Sequence, residues 1–472
     1  MTNLDKTYKG GALGKMKKTA SILIFCWISF FSYLLSADFP DDKLFKTIEN
    51  NKEKHISFLQ ELIKAQGRGE EAVQAQVAAR FKELGCEVEI LRILPSSLDF
   101  KYQFADKKTI PPQKRISVVG KFPGKGDGRS LLLFAHPDSP DIGNTEAWKH
   151  APFAGEIEDN RIYGWGVADD LAGVAIMAEA MAAIRNAGLK PKGDIYLCST
   201  PAKKNAQGVI ALLSRGYYAD ASLYLHPAES GVGMREIKAI ASGLLKFRVK
   251  IFGKPPPTTE PGKTAFAHLA ENPINKAMLL LQALKELDAT RNQRVHHPAL
   301  DKRIGRSTNL LTGYILSGKE GGETQVPGEC VFGASISFPP GEKLQQVQKE
   351  ISACIKGAAQ ADSWLKQHPP EIEWVFGTQG VEVPVEHPLY QVVSRAIKAV
   401  IGEDPYVNPL HTASDIRNPN LFSGIPTLGY GPLGGDLAQN GQHDEWVDVQ
   451  DYIRAIKVTA KSIMEWGEQP NS

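Results

Sequence analysis

Four short stretches place metal-ligand side chains just past apolar runs. "FAHPD" sets His136 and Asp138 two residues apart after "SLLLF", so in extended chain both side chains point to one side. "YGWGVADDLAG" puts Asp169 in a glycine-rich turn that opens an alanine-rich segment. "LYLHPAES" puts His226 past another apolar run, and "GQHDEWV" carries His443 near the C-terminus. Imidazole nitrogens and carboxylate oxygens are donors that zinc takes. A lone histidine is more often a hydrogen-bonded core or surface residue; the inference rests on the four stretches together. A fifth stretch breaks the pattern. "STPAKK" follows the run "GDIYLC" and ends in Lys203 and Lys204. A protonated lysine has no lone pair to give a metal and cannot take a proton from water.

The elements that must position these residues alternate. Residues 42–66 predict one amphipathic helix, with Leu44, Ile48, Ile56, Leu59, Leu62 and Ile63 on its apolar side, and residues 70–84 predict a second, ended by Gly85. "CEVEILRI" alternates as a strand. "RISVVGKFPG", "SLLLFAHPD" and "DIYLCST" read as further strands, and the continuous apolar run before His136 suits a strand covered on both faces. "DDLAGVAIMAEAMAAIRNAG" is a long helix closed by Gly188. This βαβ alternation predicts an open, largely parallel sheet. From residue 241 the order becomes strand, helix, strand, strand, helix, strand, a ferredoxin-like split unit. The α/β pattern resumes near residue 377. Residues 38–240 and 377–472 therefore form one α/β domain, interrupted by a smaller one at 241–376.

The 472 residues suit two domains, and 42% apolar with 23% charged residues suits a soluble globular chain. A net charge of +2, with no dense Lys/Arg stretch interleaved with aromatics, excludes a nucleic-acid partner. "MKKTASILIFCWISFFSYLLSA", Met16 to Ala37, has the layout of a secretory signal peptide, with residues 1–15 as an upstream extension. Cleavage after Ala37 makes the protein secreted or periplasmic, with no membrane segment left. The rival reading is an uncleaved membrane anchor. Cys86, Cys198, Cys330 and Cys354 show no paired spacing and read as small buried hydrophobes.

Together the motifs resemble the dinuclear zinc family that includes carboxypeptidase G, acetylornithine deacetylase, succinyl-diaminopimelate desuccinylase, aminoacylase and carnosinase. "HPD" is similar to that family's His-x-Asp, and "APFAGEIEDNRIYGWGVADD" to its Pro-Phe…Tyr-Gly-Arg-Gly-x-x-Asp signature. "GQHDEWV" is similar to its closing His-x-x-Glu, although Glu445 comes one residue sooner. The resemblance covers most of the mature chain. It implies a zinc-peptidase-like α/β/α sandwich with an inserted ferredoxin-like (βαββαβ) lid or dimerisation domain.

The resemblance also implies roles. Asp169 would bridge two zinc ions, His136 and His226 would complete one site, and His443 would belong to the other. Asp138 would orient His136. "TASDIR" resembles the family's "GGTDAR", so Asp415 and Arg417 would face the substrate, and His268 is the candidate for the lid histidine. The substrate class would be a small peptide or an N-acyl amino acid, and the lid would pair two copies. In the family the stretch after "STP" carries Glu-Glu, the general base and a ligand of the second zinc. Lys203 and Lys204 stand in those places. Leu171, Trp165, Ser337 and Gln325 depart from the family pattern as well. The expectation is one zinc rather than two, with amide hydrolysis weak or absent. Two readings compete: an altered hydrolase, with a deprotonated Lys203 as base, and a non-catalytic relative that serves as a binding or scaffold protein.

Overall fold

The structure is a computed structural model, which describes residues 40–203, 208–228, 230–409, 414–435 and 442–470. The signal segment 1–37 and Lys204 lie outside the described residues. Six strands form the central sheet in the order Glu87–Ile93, Arg115–Phe122, Ile195–Ser199, Leu131–Ala135, Ala221–Leu225, Thr427–Tyr430. Only Arg115–Phe122 runs against the rest: it is antiparallel to both neighbours, while the last four strands pair in parallel. Leu131–Ala135 and Ala221–Leu225 are buried along their whole length. That explains their unbroken apolar runs, since helices cover both faces. On one face lie Lys52–Gln66, Glu70–Glu83, Ala172–Asn186, Pro388–Ile401 and Val449–Gly467. The short helix Gly208–Leu213 packs on the other. The result is the α/β/α sandwich expected from the motifs.

The single helix expected over 42–66 is two, Pro40–Asn50 and Lys52–Gln66. The break is at Asn51, whose backbone leaves helical geometry (φ −111°, ψ 16°) and whose side chain donates to the Thr47 carbonyl. Glu179 then ties three helices together. It lies 2.5 Å from His55 and 2.7 Å from Arg80, with its own side chain fully buried.

The second sheet has the order Asn309–Ser317, Glu329–Phe338, Gly243–Phe252, Glu371–Thr378, Gln103–Ala105, all antiparallel. Helices Pro273–Arg294 and Leu344–Gln360 bury one apolar core against it. The strand–helix connections are those of the ferredoxin-like unit. One strand is an addition: Gln103–Ala105 comes from the first segment and pairs with Glu371–Thr378. Three half-buried residues are too few to show a period in sequence.

Two glycines fix how the turn bearing Asp169 meets the sheet. A Cβ on Gly166, at φ +72°, would lie 2.0 Å from Ser139 Oγ. A Cβ on Gly173 would lie 1.9 Å from the Leu225 carbonyl oxygen. Helix Ala172–Asn186 therefore seats directly against the strand that delivers His226.

Candidate metal centre

Three adjacent strands of the central sheet end at one place, and each delivers a residue there. Ile195–Ser199 leads to Lys203, Leu131–Ala135 to His136, and Ala221–Leu225 to His226. Asp169 comes in from the turn Val167–Leu171. His136 Nε2 is 2.9 Å and His226 Nε2 is 3.1 Å from the same oxygen, Asp169 Oδ1. All three residues are buried. This is the position outside the carboxyl ends of parallel strands where open α/β sheets keep ligands.

The other oxygen of Asp169 is taken. Lys203 Nζ lies 2.5 Å from Oδ2. Burial works against the Lys203 ammonium, but the Asp169 charge outweighs it and raises the lysine pKa above its ordinary value. Burial likewise opposes the Asp169 carboxylate, yet Lys203 and the two histidines hold it well below the usual carboxylate range. Burial and the Lys203 charge would lower the His136 pKa. Hydrogen bonds to Asp138 and Asp169 carry it well above the ordinary imidazole range. Asp169 thus favours the charged form of Lys203.

Asp138 does less for His136 than the motif suggested. His136 Nδ1 donates to the Asp138 backbone carbonyl at 2.9 Å, and the carboxylate is farther, at 3.4 Å. The carboxylate instead accepts from the backbone N–H groups of Ala202 and Lys203 and pairs with Arg115 at 3.0 Å. It anchors the loop that carries the lysine. Arg115 also pairs with Glu70.

Glu445 is a site residue that sequence reasoning noted only for its spacing. It is buried and accepts from the backbone N–H groups of Gly166, Ala168 and Asp169, so it holds the metal-centre turn from behind. Burial, helped by the Asp169 charge, pushes its pKa up to about 7. The folded state therefore binds a proton that the unfolded chain has lost between pH ~4.5 and ~7, and stability falls as pH rises through that window, by roughly 3 kcal/mol at most. Glu445→Gln is expected to flatten this dependence in metal-free protein. Thermal melts at pH 5 and pH 8 measure it; an unchanged pH difference in the variant would refute the assignment.

His443 does not join the group. It is exposed on the loop before Glu445, with its ring edge-on to Trp148 at 6.0 Å. The shorter spacing accounts for this. Asp444 adopts φ +57°, and its carboxylate accepts from the Lys149 and His150 N–H groups, so with Glu445 turned inward His443 faces out. Of the four expected residues, His136, Asp169 and His226 come together, and His443 is not in their cluster. His268 sits exposed in the short helix Thr264–Leu269 of the inserted domain, outside this cluster. Asp415 and Arg417 pair with each other at 3.2 Å, and Arg417 is buried. Asp415 adds to the field that keeps Lys203 charged.

A cleft of about 740 Å³ adjoins the centre through Asp138 and Lys203, with Gln66, Glu70, Ile116 and Trp165 also among its lining residues; His136, Asp169 and His226 do not line it. The donor set suits one ion: two imidazole nitrogens and one carboxylate oxygen, all within 4.8 Å of one another. The second Asp169 oxygen pairs with Lys203, and His443 is exposed and not among the three clustered residues.

Fold and cluster together define a metallopeptidase-type architecture with an inserted ferredoxin-like domain. Residues 132–465 match the Peptidase family M20/M25/M40, and the chain belongs to that family. The N-formyl-4-amino-5-aminomethyl-2-methylpyrimidine deformylase of Bacillus subtilis (strain 168) is 24% identical over 449 residues, 89% of this chain and 96% of its own. The same-named protein of Halalkalibacterium halodurans is 24% identical over 447 residues, 90% and 97% of the two chains. Among solved structures, the aminopeptidase PepT of Bacillus cereus ATCC 10987 superposes with a TM-score of 0.64 at 18% identity, covering 89% of this chain and 99% of its own. The dipeptidase Dug1p of Saccharomyces cerevisiae gives 0.63 at 15%, covering 91% and 99%. At such identities the structures show the fold alone. No helix among the described residues is long and apolar enough to cross a membrane.

Proposed function

We propose that this member of the family is a one-ion amidohydrolase-type protein. His136, Asp169 and His226 hold a single zinc, and the Lys203 ammonium takes the place of the second cation. The observation that carries the reading is Lys203 Nζ at 2.5 Å from Asp169 Oδ2, opposite the oxygen that faces both histidines. A bound metal would supply a Lewis acid for an amide carbonyl and an acidified water. The chain's own residues supply position. Glu445 fixes the Asp169 turn, the Asp138 carbonyl fixes His136, and the Asp138 carboxylate fixes the lysine loop. What they do not supply at Lys203 is a proton acceptor, so hydrolysis is slow or absent. The substrate class is a small peptide, an N-acyl amino acid or an N-formyl amine, the last supported by the deformylases among the relatives. Purified protein is expected to turn over N-acyl amino acids, dipeptides and an N-formyl aminopyrimidine at least roughly a hundredfold below ordinary enzyme rates, for want of general-base help. Turnover at ordinary rates that Lys203→Ala abolishes would replace this reading with lysine as the base.

The second reading, a catalytically silent binding protein, draws on the same lysine. Saturable binding of an N-acyl amino acid without hydrolysis, measured by calorimetry, would favour it.

We further propose export through the N-terminal segment and pairing of two copies at the edge strand Asn309–Ser317. Its outer edge has no partner strand among the described residues, and Leu311, Ile315 and Leu316 are exposed on it. N-terminal sequencing of the native protein tests export; retention of Ile22–Leu35 would point to an anchor instead. A monomer by light scattering at working concentration would count against pairing.

A further inference from the structure

We propose that the cleft beside the metal centre is a subsite for an acidic side group of the substrate, a carboxylate on a short aliphatic stem, selected by Arg68, Lys108 and Lys114. The proposal rests on the amidohydrolase-type reading above and narrows its substrate class to acidic peptides and acidic N-acyl amino acids. Two stretches of chain wall the cleft. One is the end of helix Lys52–Gln66 and the turn after it, with Gln66, Arg68 and Glu70. The other is the segment 106–114 between strands Gln103–Ala105 and Arg115–Phe122, with Lys108, Ile110, Pro112 and Lys114. That segment is held in place. Gln103–Ala105 pairs with Glu371–Thr378, and the Asp106 N–H donates to the Val375 carbonyl at 2.8 Å. The Asp106 carboxylate accepts from the Lys108 N–H at 2.9 Å and caps the short helix Lys107–Thr109. Pro111, which is buried, and Pro112 then restrict the backbone.

Charge decides what such a cleft takes. Of its lining carboxylates, Glu70 and Asp138 both pair with Arg115, and Lys203 pairs with Asp169. Arg68, Lys108 and Lys114 are exposed, and their side chains pair with no carboxylate among the described residues. Against these three cations stands one unpaired lining carboxylate, Glu71. Ile110, Pro112 and Trp165 add apolar surface on which a methylene stem can lie. Gln66 points to a ligand independently of charge. It lines the cleft at 5% exposure, and its Oε1 has no hydrogen-bond partner among the described residues, while its Nε2 is 3.4 Å from Ser139 Oγ. A buried acceptor left without a donor is costly, and an amide N–H of a ligand would satisfy it. About 740 Å³ is room for a small molecule of this kind.

Calorimetric titration of the full chain, stripped of metal, with N-acetylglutamate and N-acetylglutamine tests the subsite. The two probes differ by one carboxylate. Wild type is expected to bind N-acetylglutamate about tenfold more tightly at low ionic strength, as three part-screened charges allow, and to lose most of that preference in about 0.5 M salt. In Arg68→Gln/Lys108→Gln/Lys114→Gln the preference should disappear. All three side chains are exposed, so the fold should tolerate the change. Lys302→Gln/Lys349→Gln/Lys366→Gln removes equal charge from exposed positions outside the cleft and should retain the preference. Equal affinity of wild type for the two probes, no binding of either, or a preference that survives the cleft variant would overturn the proposal. Zinc content of the same protein keeps the two readings apart. Preference in a chain that takes up no zinc would sink the one-ion reading alone, and zinc uptake without preference would sink the subsite alone.

Discussion

Lys203→Glu is expected to raise zinc affinity by roughly a hundredfold or more. At ~4 Å and an effective dielectric near 20, one ammonium beside a divalent ion costs roughly 8 kcal/mol before relaxation and screening. A third of that is already a hundredfold in a dissociation constant. The substitution also frees Asp169 Oδ2, which Lys203 now occupies at 2.5 Å. The lysine lines the adjoining cleft and is part-exposed, with 28% of its side chain accessible, so a glutamate there has room to turn toward an ion. Calorimetric titration of the chelator-treated protein reads the change. Unchanged affinity in the variant would mean that the lysine is not what keeps a second ion out.

Asp169→Asn should cost the metal-free protein about 3 kcal/mol or more of stability. Asp169 is the shared anion of Lys203, His136 and His226, and removing one partner of a buried ion pair leaves uncompensated charge. The asparagine retains the size of the side chain, so packing changes little. Lys203→Met in the Asp169→Asn background should recover part of the loss, because it removes the cation left without its counter-charge. A double-mutant cycle by denaturant unfolding gives the coupling. Additive losses would show that the two charges do not depend on each other.

Much of this centre was legible in the sequence. Apolar runs ending in His136 and His226 signalled buried parallel strands and their loaded ends. The Gly-rich turn signalled the position of Asp169, because Gly166 and Gly173 leave no room for a side chain. The βαββαβ order of the inserted domain followed from alternating periods. What was not legible has physical causes. His443 faces out because a turn one residue shorter delivers Glu445 inward, a matter of backbone geometry at Asp444. Lys238, buried with Nζ 2.8 Å from His226 Nδ1, escaped notice in "EIKAIA"; a lone lysine within an apolar stretch was the available signal, since a buried polar group needs partners. Arg115 likewise heads an apolar strand, and its link to Asp138 spans two separate turns of the chain. The strand Gln103–Ala105 is defined only by its partner in the inserted sheet.

The claim that a lysine stands in for the second metal is tested most directly by metal content. Wild-type protein dialysed against excess zinc and then against buffer should retain no more than one zinc per chain by elemental analysis. The double variant Lys203→Glu/Lys204→Glu, treated alike, should retain more. Two zinc ions per wild-type chain, or the same number in both proteins, would contradict the account.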